Sequence, residues 1–283
     1  MIDDRVRFDI NLSIMFTELP LLERAAAAAD HGFDAAEFWW PFNEPVPNDA
    51  QVDAFVASLD DVGVRLVGLN LFAGNMPGGD RSVVSIPGQE KALRDSVEVL
   101  TAIAARTGCR SFNALYGQRI AGIEPERQDE LAVENLGLIA DTIATFGGTL
   151  LIEPLACGEN GDYYPLLAAA DALGLCDRVT EETGAENLRL LADVYHLTSN
   201  GDDVVDVLRY ALARVGHVQL ADAPGRHEPG TGSVDFGAVF AMLSQQGYTG
   251  YVGLEYRPLN ASAESLNWLP RERRGRNGEG KTQ

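Results

Sequence analysis

The chain has 283 residues, 46% of them hydrophobic, with a formal net charge of −20 and a pI near 4.5. That is enough apolar content to bury one large core, and so acidic a chain lacks the clustered Lys and Arg that a nucleic-acid surface requires. No stretch of 18 apolar residues occurs and the amino terminus MIDDRVRFDI has no signal-type segment, so a soluble, unprocessed, cytoplasmic protein without a membrane partner is expected. Cys109, Cys157 and Cys176 are odd in number and form no CxxC motif, which fits a reducing compartment.

Eight strand-like runs, each followed by helical pattern, can be taken in order. In VRFDINLS, Val6, Phe8, Ile10 and Leu12 alternate with Arg7, Asp9 and Asn11, the period of a strand. The spacing then predicts a helix with Leu19, Leu22, Ala26 and Ala29 on one face, stopping at Gly32. FDAAEFWW gives a second strand ending near Glu37, and Asn48 and Asp49 open a helix through Leu59. The third strand, VRLVGLNL, ends at Asn70; a long loop then leads into a helix from Gly88 to Arg106. RSFNAL, with Asn113, is followed by a helix from Glu126 to Phe146. TLLIEP precedes an Ala- and Leu-rich segment, Tyr163 to Glu182, and LRLLADVY precedes a helix from Asp202 to Ala213. GHVQLAD leads to a helix capped by Asp235, and GYVGLEY to a helical remainder from Glu264.

Eight βα units in one direction predict an α/β fold of the (β/α)₈ TIM-barrel type. No GxGxxG follows the first strand, which argues against a doubly wound dinucleotide fold. Residues 1–269 are expected to form a single barrel domain. Residues 270–283, with Arg271, Arg273, Arg274, Arg276 and Lys281, are expected to be a disordered basic tail. Such a tail could pack on a neighbouring acidic subunit, which leaves a homo-oligomer open.

The chemistry gathers in the second half. Four successive strand runs end in a residue able to hold a divalent cation: Glu153 in LLIEP, Asp193 in LLADVYH, Gln219 in HVQLAD and Glu255 in GLEY. Strands 5 to 8 are neighbours in a barrel, so these side chains meet on one wall at the carboxyl end of the lumen. Three carboxylates and an amide oxygen suit Mg²⁺ or Mn²⁺, and without a counter-ion the carboxylates would repel and take up protons. His196, three residues after Asp193, faces this wall and is a candidate for binding a substrate oxygen. His217 lies one layer deeper and reads as a buried structural group. Trp39, Trp40 and Phe42 read as pocket wall.

These residues resemble the hydroxypyruvate isomerase branch of the xylose-isomerase-like TIM barrels. The likeness covers most of residues 6 to 260 and is carried by FDINLSIMF (8–16), NLFAGNMPGGDRSVVSIPG (70–88), LLIEP (150–154), DVYH (193–196), HVQLADAPGRHEPGTGSVDF (217–236) and GLEYRP (253–258). The resemblance implies catalytic glutamates at Glu153 and Glu255, with Asp193 and Gln219 completing the metal shell. It departs from the pattern at Leu155, Ala156 and Cys157 and at Thr198, positions that border the substrate.

The activity expected is isomerisation of a small hydroxy-oxo acid (hydroxypyruvate or a 2-oxo-tetronate) through an enediol, with the two glutamates as acid and base. On so acidic a protein the substrate carboxylate needs local cations, and Arg81 and Arg226 are the candidates. The alternative is a ketose 3-epimerase or related sugar isomerase on an uncharged substrate, with Glu159 binding hydroxyls. A DNA-repair endonuclease of the same superfamily would need more histidines than His31, His196, His217 and His227 for its zinc cluster.

Overall fold

A computed structural model of the chain describes residues 6–157 and 164–275. Strands β1 (Arg7–Asn11), β2 (Ala35–Phe38), β3 (Arg65–Asn70), β4 (Ser111–Asn113), β5 (Thr149–Ile152), β6 (Leu188–Asp193), β7 (Val215–Leu220) and β8 (Tyr251–Leu254) form a closed parallel barrel in chain order. β8 pairs back onto β1, with Asp9 opposite Gly253. Around it lie α1 (Arg24–Asp30), α2 (Asp49–Asp60), α3 (Glu90–Thr107), α4 (Pro125–Ala144), α5 (Ala169–Thr183), α6 (Val194–Asn200), α7 (Val204–Ala211), α8 (Phe236–Gln245) and α9 (Ser262–Ser265). The predicted (β/α)₈ fold is the fold observed.

Alternation along the strands sorts the two faces. On β1, Phe8 packs edge-on against Phe240 of α8 and against Trp268, outside the barrel. Asp9 and Asn11, one residue out of phase, are buried at 0% and 1% exposure and turn into the lumen. Likewise Phe38 meets Phe55 of α2, and Phe112 meets Phe146 after α4. The helices seal this outer layer with apolar stripes such as Leu93, Val97, Leu100 and Ile103 on α3. Capping sets where they start. Asn48 and Gln51 form a reciprocal capping box at α2, and Asp235 accepts from the Ala238 N–H at α8.

Three local expectations change. The first helix buries Ala25 and Ala28, while Leu22 is 46% exposed. A 3₁₀ turn over Leu21–Glu23 precedes α1, and its tighter winding shifts the phase of the face expected through Leu22 and Ala26. A helix, α6, starts directly after Asp193, where the strand run was expected to continue through Tyr195. The tail packs onto the barrel over 270–275: Arg274 is buried and donates to the carbonyls of Leu266, Leu269 and His31. Arg271 likewise donates to the Asp30 carbonyl. These guanidiniums satisfy helix-end carbonyls, which ties the segment down. Residues 276–283 lie outside the described residues. No helix of the described chain is long and apolar enough to cross a membrane.

Candidate active site

The barrel brings Glu153, Asp193, Gln219 and Glu255 to one wall, each at 5% exposure or less. Asp193 and Gln219 are register partners on β6 and β7, so their side chains stand side by side. Asp193 also caps α6, its Oδ1 accepting from the N–H groups of Tyr195 (2.7 Å) and His196 (3.3 Å). That leaves Oδ2 buried without a hydrogen-bond partner among the described residues, and the Gln219 Oε1 is buried and unpartnered among them too. Buried acceptors left unmatched cost about 1–3 kcal/mol each. Two of them, adjacent and flanked by two glutamates, fit a divalent cation, which suits hard oxygen donors.

The two glutamates are held differently. Glu153 Oε2 accepts from Asn113 Nδ2 at 2.6 Å on β4. Glu255 Oε1 accepts from the Trp39 indole at 2.7 Å and lies 3.1 Å from the Arg226 guanidinium. Burial, then the charges of Glu255 and Asp193, pushes the Glu153 carboxyl well above the ordinary carboxylate range. Burial also raises Glu255, to about 8, although Arg226 opposes the rise.

His196 lies 3.6 Å from both Glu153 Oε1 and Asp193 Oδ2 through its Nε2. Its Nδ1 accepts from the Ala156 N–H at 2.9 Å, which places the ring proton on Nε2. Burial lowers its pKa to about 4, so at neutral pH the ring is a neutral N–H donor aimed at the wall. Glu153, Asp193 and His196 bring ligand atoms within 4.8 Å of one another, a group that could hold a metal ion. The tautomer favours the all-oxygen set, because a protonated Nε2 has no lone pair to give a metal.

Beneath the wall is a second buried group. Glu37 on β2 accepts from His217 Nε2 at 2.7 Å, Gln219 Nε2 at 2.7 Å and Asn11 Nδ2 at 3.2 Å. Asp9, deeper still, has neither oxygen partnered among the described residues. Burial and the Glu37 charge raise its carboxyl well above the usual value. Burial alone would lower His217, but the Glu37 charge and hydrogen bond prevail and hold it at about 9. Sequence reasoning placed Glu37 at a strand end and His217 a layer down. It gave no sign that they pair, since their contact spans 180 positions.

The loop after β7 is folded round one side chain. Asp222 accepts from the N–H groups of Ala223, Val234 and Gly230, so the stretch carrying EPGTG wraps onto it. A Cβ at Gly232 would fall 2.4 Å from the Ala223 carbonyl and 2.6 Å from Asp222 Oδ1, which accounts for a glycine there. The loop delivers Arg226, whose Nη2 lies 3.5 Å from Asp193 and 3.1 Å from Glu255. The guanidinium stacks over Tyr195, and its Nε is buried without a partner among the described residues.

A cleft of about 860 Å³ opens over this wall, lined by Trp39, Trp40 and Phe42 on one side and Tyr195, His196 and Arg226 on another. Arg81 also reaches it, from the loop after β3, with its guanidinium on the carbonyls of Met76 and Asp80. Cys157 is exposed at the cleft. Glu159 lies outside the described residues. His31 and His227 bond to backbone carbonyls away from the wall.

The family model for the xylose isomerase-like TIM barrel matches residues 25–272. The chain is 48% identical over 267 residues to the "Putative hydroxypyruvate isomerase" of Streptomyces coelicolor, covering 93% of this chain and 95% of that one. It is 32% identical to a 2-oxo-tetronate isomerase of Cupriavidus necator and 31% identical to the hydroxypyruvate isomerase of Escherichia coli. Each match covers 93% of this chain, with 97% and 98% of those relatives. Among solved structures, one described as an AP endonuclease, family 2, from Brucella melitensis superposes with a TM-score of 0.84 at 32% identity, covering 93% of this chain and 98% of that one. The chain belongs to the xylose isomerase-like TIM barrel family and, within it, to the hydroxypyruvate isomerase enzymes.

Proposed function

We propose that the protein isomerises a small hydroxy-oxo acid of the hydroxypyruvate or 2-oxo-tetronate kind, with Glu153 and Glu255 as its acid and base. The observation that carries this reading is the pair of buried glutamates flanking the unpartnered oxygens of Asp193 and Gln219. Glu153, Asp193, Gln219 and Glu255 would hold the cation, Mg²⁺ or Mn²⁺ by their oxygen donors. Such an ion supplies Lewis-acid stabilisation of negative charge developing on the substrate's oxygens.

The remaining steps belong to the protein. One glutamate takes the proton from the carbon beside the carbonyl, the hydroxyl proton passes to the former carbonyl oxygen, and a glutamate returns the carbon proton to the former carbonyl carbon, by way of an enediol. Both glutamates are buried, and a bound cation would hold them ionised, ready to take that proton. His196, neutral with Nε2–H directed at the wall, donates to a substrate oxygen. Arg226, from its unpartnered Nε, meets the substrate carboxylate, and Arg81 lies on the same cleft. The aromatic wall of Trp39 and Trp40 excludes water from the reacting carbons.

A cytoplasmic setting accords with the cysteine usage and the family's metabolic relatives. The second reading, a sugar epimerase, shares the wall but has no substrate carboxylate for a buried guanidinium to meet, and the Arg226 position favours the acid. The test is an NMR assay in D₂O with Mg²⁺ or Mn²⁺, offering hydroxypyruvate, 2-oxo-tetronate and several ketoses, with Glu153→Gln as control. Metal-dependent conversion of an oxo-acid, lost in the control, is the expected result. Turnover of ketoses alone, with deuterium entering at C3, would overturn it in favour of the epimerase.

A further inference from the structure

We infer that Glu37 is a positioning residue that turns the Gln219 amide so that its oxygen, not its nitrogen, faces the metal wall. The inference rests on the reading of that wall as a cation site. The two ends of an amide are nearly the same size, so shape alone does not choose between them; hydrogen bonding does. Gln219 Nε2 donates to Glu37 Oε1 at 2.7 Å. Reversing the amide would set its oxygen against a carboxylate oxygen at that same separation. Both residues are buried, at 2% and 4% exposure, so no bulk solvent softens the repulsion. The nitrogen is therefore committed downward, and Oε1, which has no partner among the described residues, is left at the level of its register neighbour Asp193, whose Oδ2 is also unpartnered.

The barrel is shaped to keep Glu37 in this role. Oε2 is fixed by His217 and Oε1 also by Asn11. The β2–β3 register shifts between Ala36 and Glu37, a bulge of the sort that re-aims a side chain. Glycines make the space on both sides. A Cβ at Gly253, the register partner of Gln219, would lie 2.7 Å from Glu37 Oε1, and one at Gly68 would lie 3.1 Å from Glu37 Cβ. Together they hold one carboxylate against one amide.

The test is a double-mutant cycle read as the Mn²⁺ dissociation constant, measured by calorimetry and by the EPR signal of free Mn²⁺. In the wild-type background Glu37→Leu frees the amide to rotate, and the affinity should fall about 10- to 100-fold, the range for losing an outer partner of a metal ligand. In a Gln219→Glu background both ends of residue 219 are oxygens, so Glu37→Leu should cost no affinity there. Equal losses in both backgrounds, or no loss in either, would overturn the inference while leaving the metal wall standing. Should Glu37→Leu fail to fold, the isosteric Glu37→Gln, which accepts either orientation, should give a smaller loss confined to the Gln219 background. A wild-type protein that binds no Mn²⁺ would remove the metal reading and this inference with it.

Discussion

Loading a divalent cation should expel protons from the wall, and the burial of the two glutamates sets the number. Glu255, held at about 8, is about nine-tenths protonated at pH 7 by simple titration. Glu153 is raised in the same direction by burial and by its acidic neighbours. A cation binds the ionised carboxylates, so roughly one proton or more should leave per ion at pH 7. At pH 9 Glu255 would contribute only about a tenth. Apparent affinity should accordingly climb about tenfold per pH unit for each proton released below pH 7.5. The competing possibility is that Arg226, 3.1 Å from Glu255, already balances the wall. One guanidinium set against Glu153, Asp193 and Glu255 leaves a net negative site, which is why protons are expected to make up the difference. Calorimetric titration of Mn²⁺ in buffers of low and high ionisation enthalpy, at pH 6, 7 and 9, counts them directly. Saturable binding whose heat at pH 7 does not depend on the buffer would refute the reasoning.

Other outcomes follow from single groups. Arg226→Lys, which keeps the charge but loses the planar fork, should lower kcat/KM for an oxo-acid about 10- to 100-fold, the worth of a charged hydrogen bond. Ketose turnover by the same variant should change little, and equal losses would tell against a carboxylate role. Gly253→Ala pushes a methyl into the Glu37 carboxylate and toward His217 Nε2 at 3.1 Å, so thermal unfolding should report a destabilisation of about 1–3 kcal/mol; an unchanged melting temperature would contradict the crowding. His217, raised from 6.5 to about 9, contributes stability that is complete below pH 6.5 and lost as pH rises through 9. The contribution amounts to about 3 kcal/mol. Asp9, Glu37 and Glu255 all face it, so the measure is wild type against His217→Gln in urea at each pH. The gap should narrow from pH 6 to pH 10, and a constant gap would exclude the ion pair.

The strands were legible because a barrel asks two different things of alternate residues. On β1, Phe8 and Ile10 must meet helices while Asp9 and Asn11 enter the lumen, and the sequence alternates to match. The convergence of the four strand-end residues was legible for the same reason, since register in a closed parallel barrel puts corresponding positions at one level. What escaped was whatever depends on a distant partner or on a turn of irregular phase. The 3₁₀ turn before α1 rotated its buried face onto Ala25 and Ala28. α6 is short and is started by Asp193, a residue read only as a ligand. Trp39 reads as pocket wall, yet its indole holds Glu255 across 216 positions. Nothing local in EFWW or GLEY announces that bond.

The acidity of the chain and an anionic substrate are reconciled by where the cations stand. Four arginines line the cleft: Arg24, Arg81, Arg226 and Arg257. Arg24 spends its guanidinium on the carbonyls of Leu12 and Leu19, and Arg81 spends one nitrogen on Met76 and Asp80. Arg226 differs in being buried against Glu255 and Asp193 with its Nε unmatched. Because surface charge is screened over about 10 Å while buried charge is not, the −20 of the whole chain matters less to a bound carboxylate than this one guanidinium. On the proposed reading Arg226 would serve the wall twice, offsetting carboxylates that would otherwise repel an anion and keeping a donor for the anion itself.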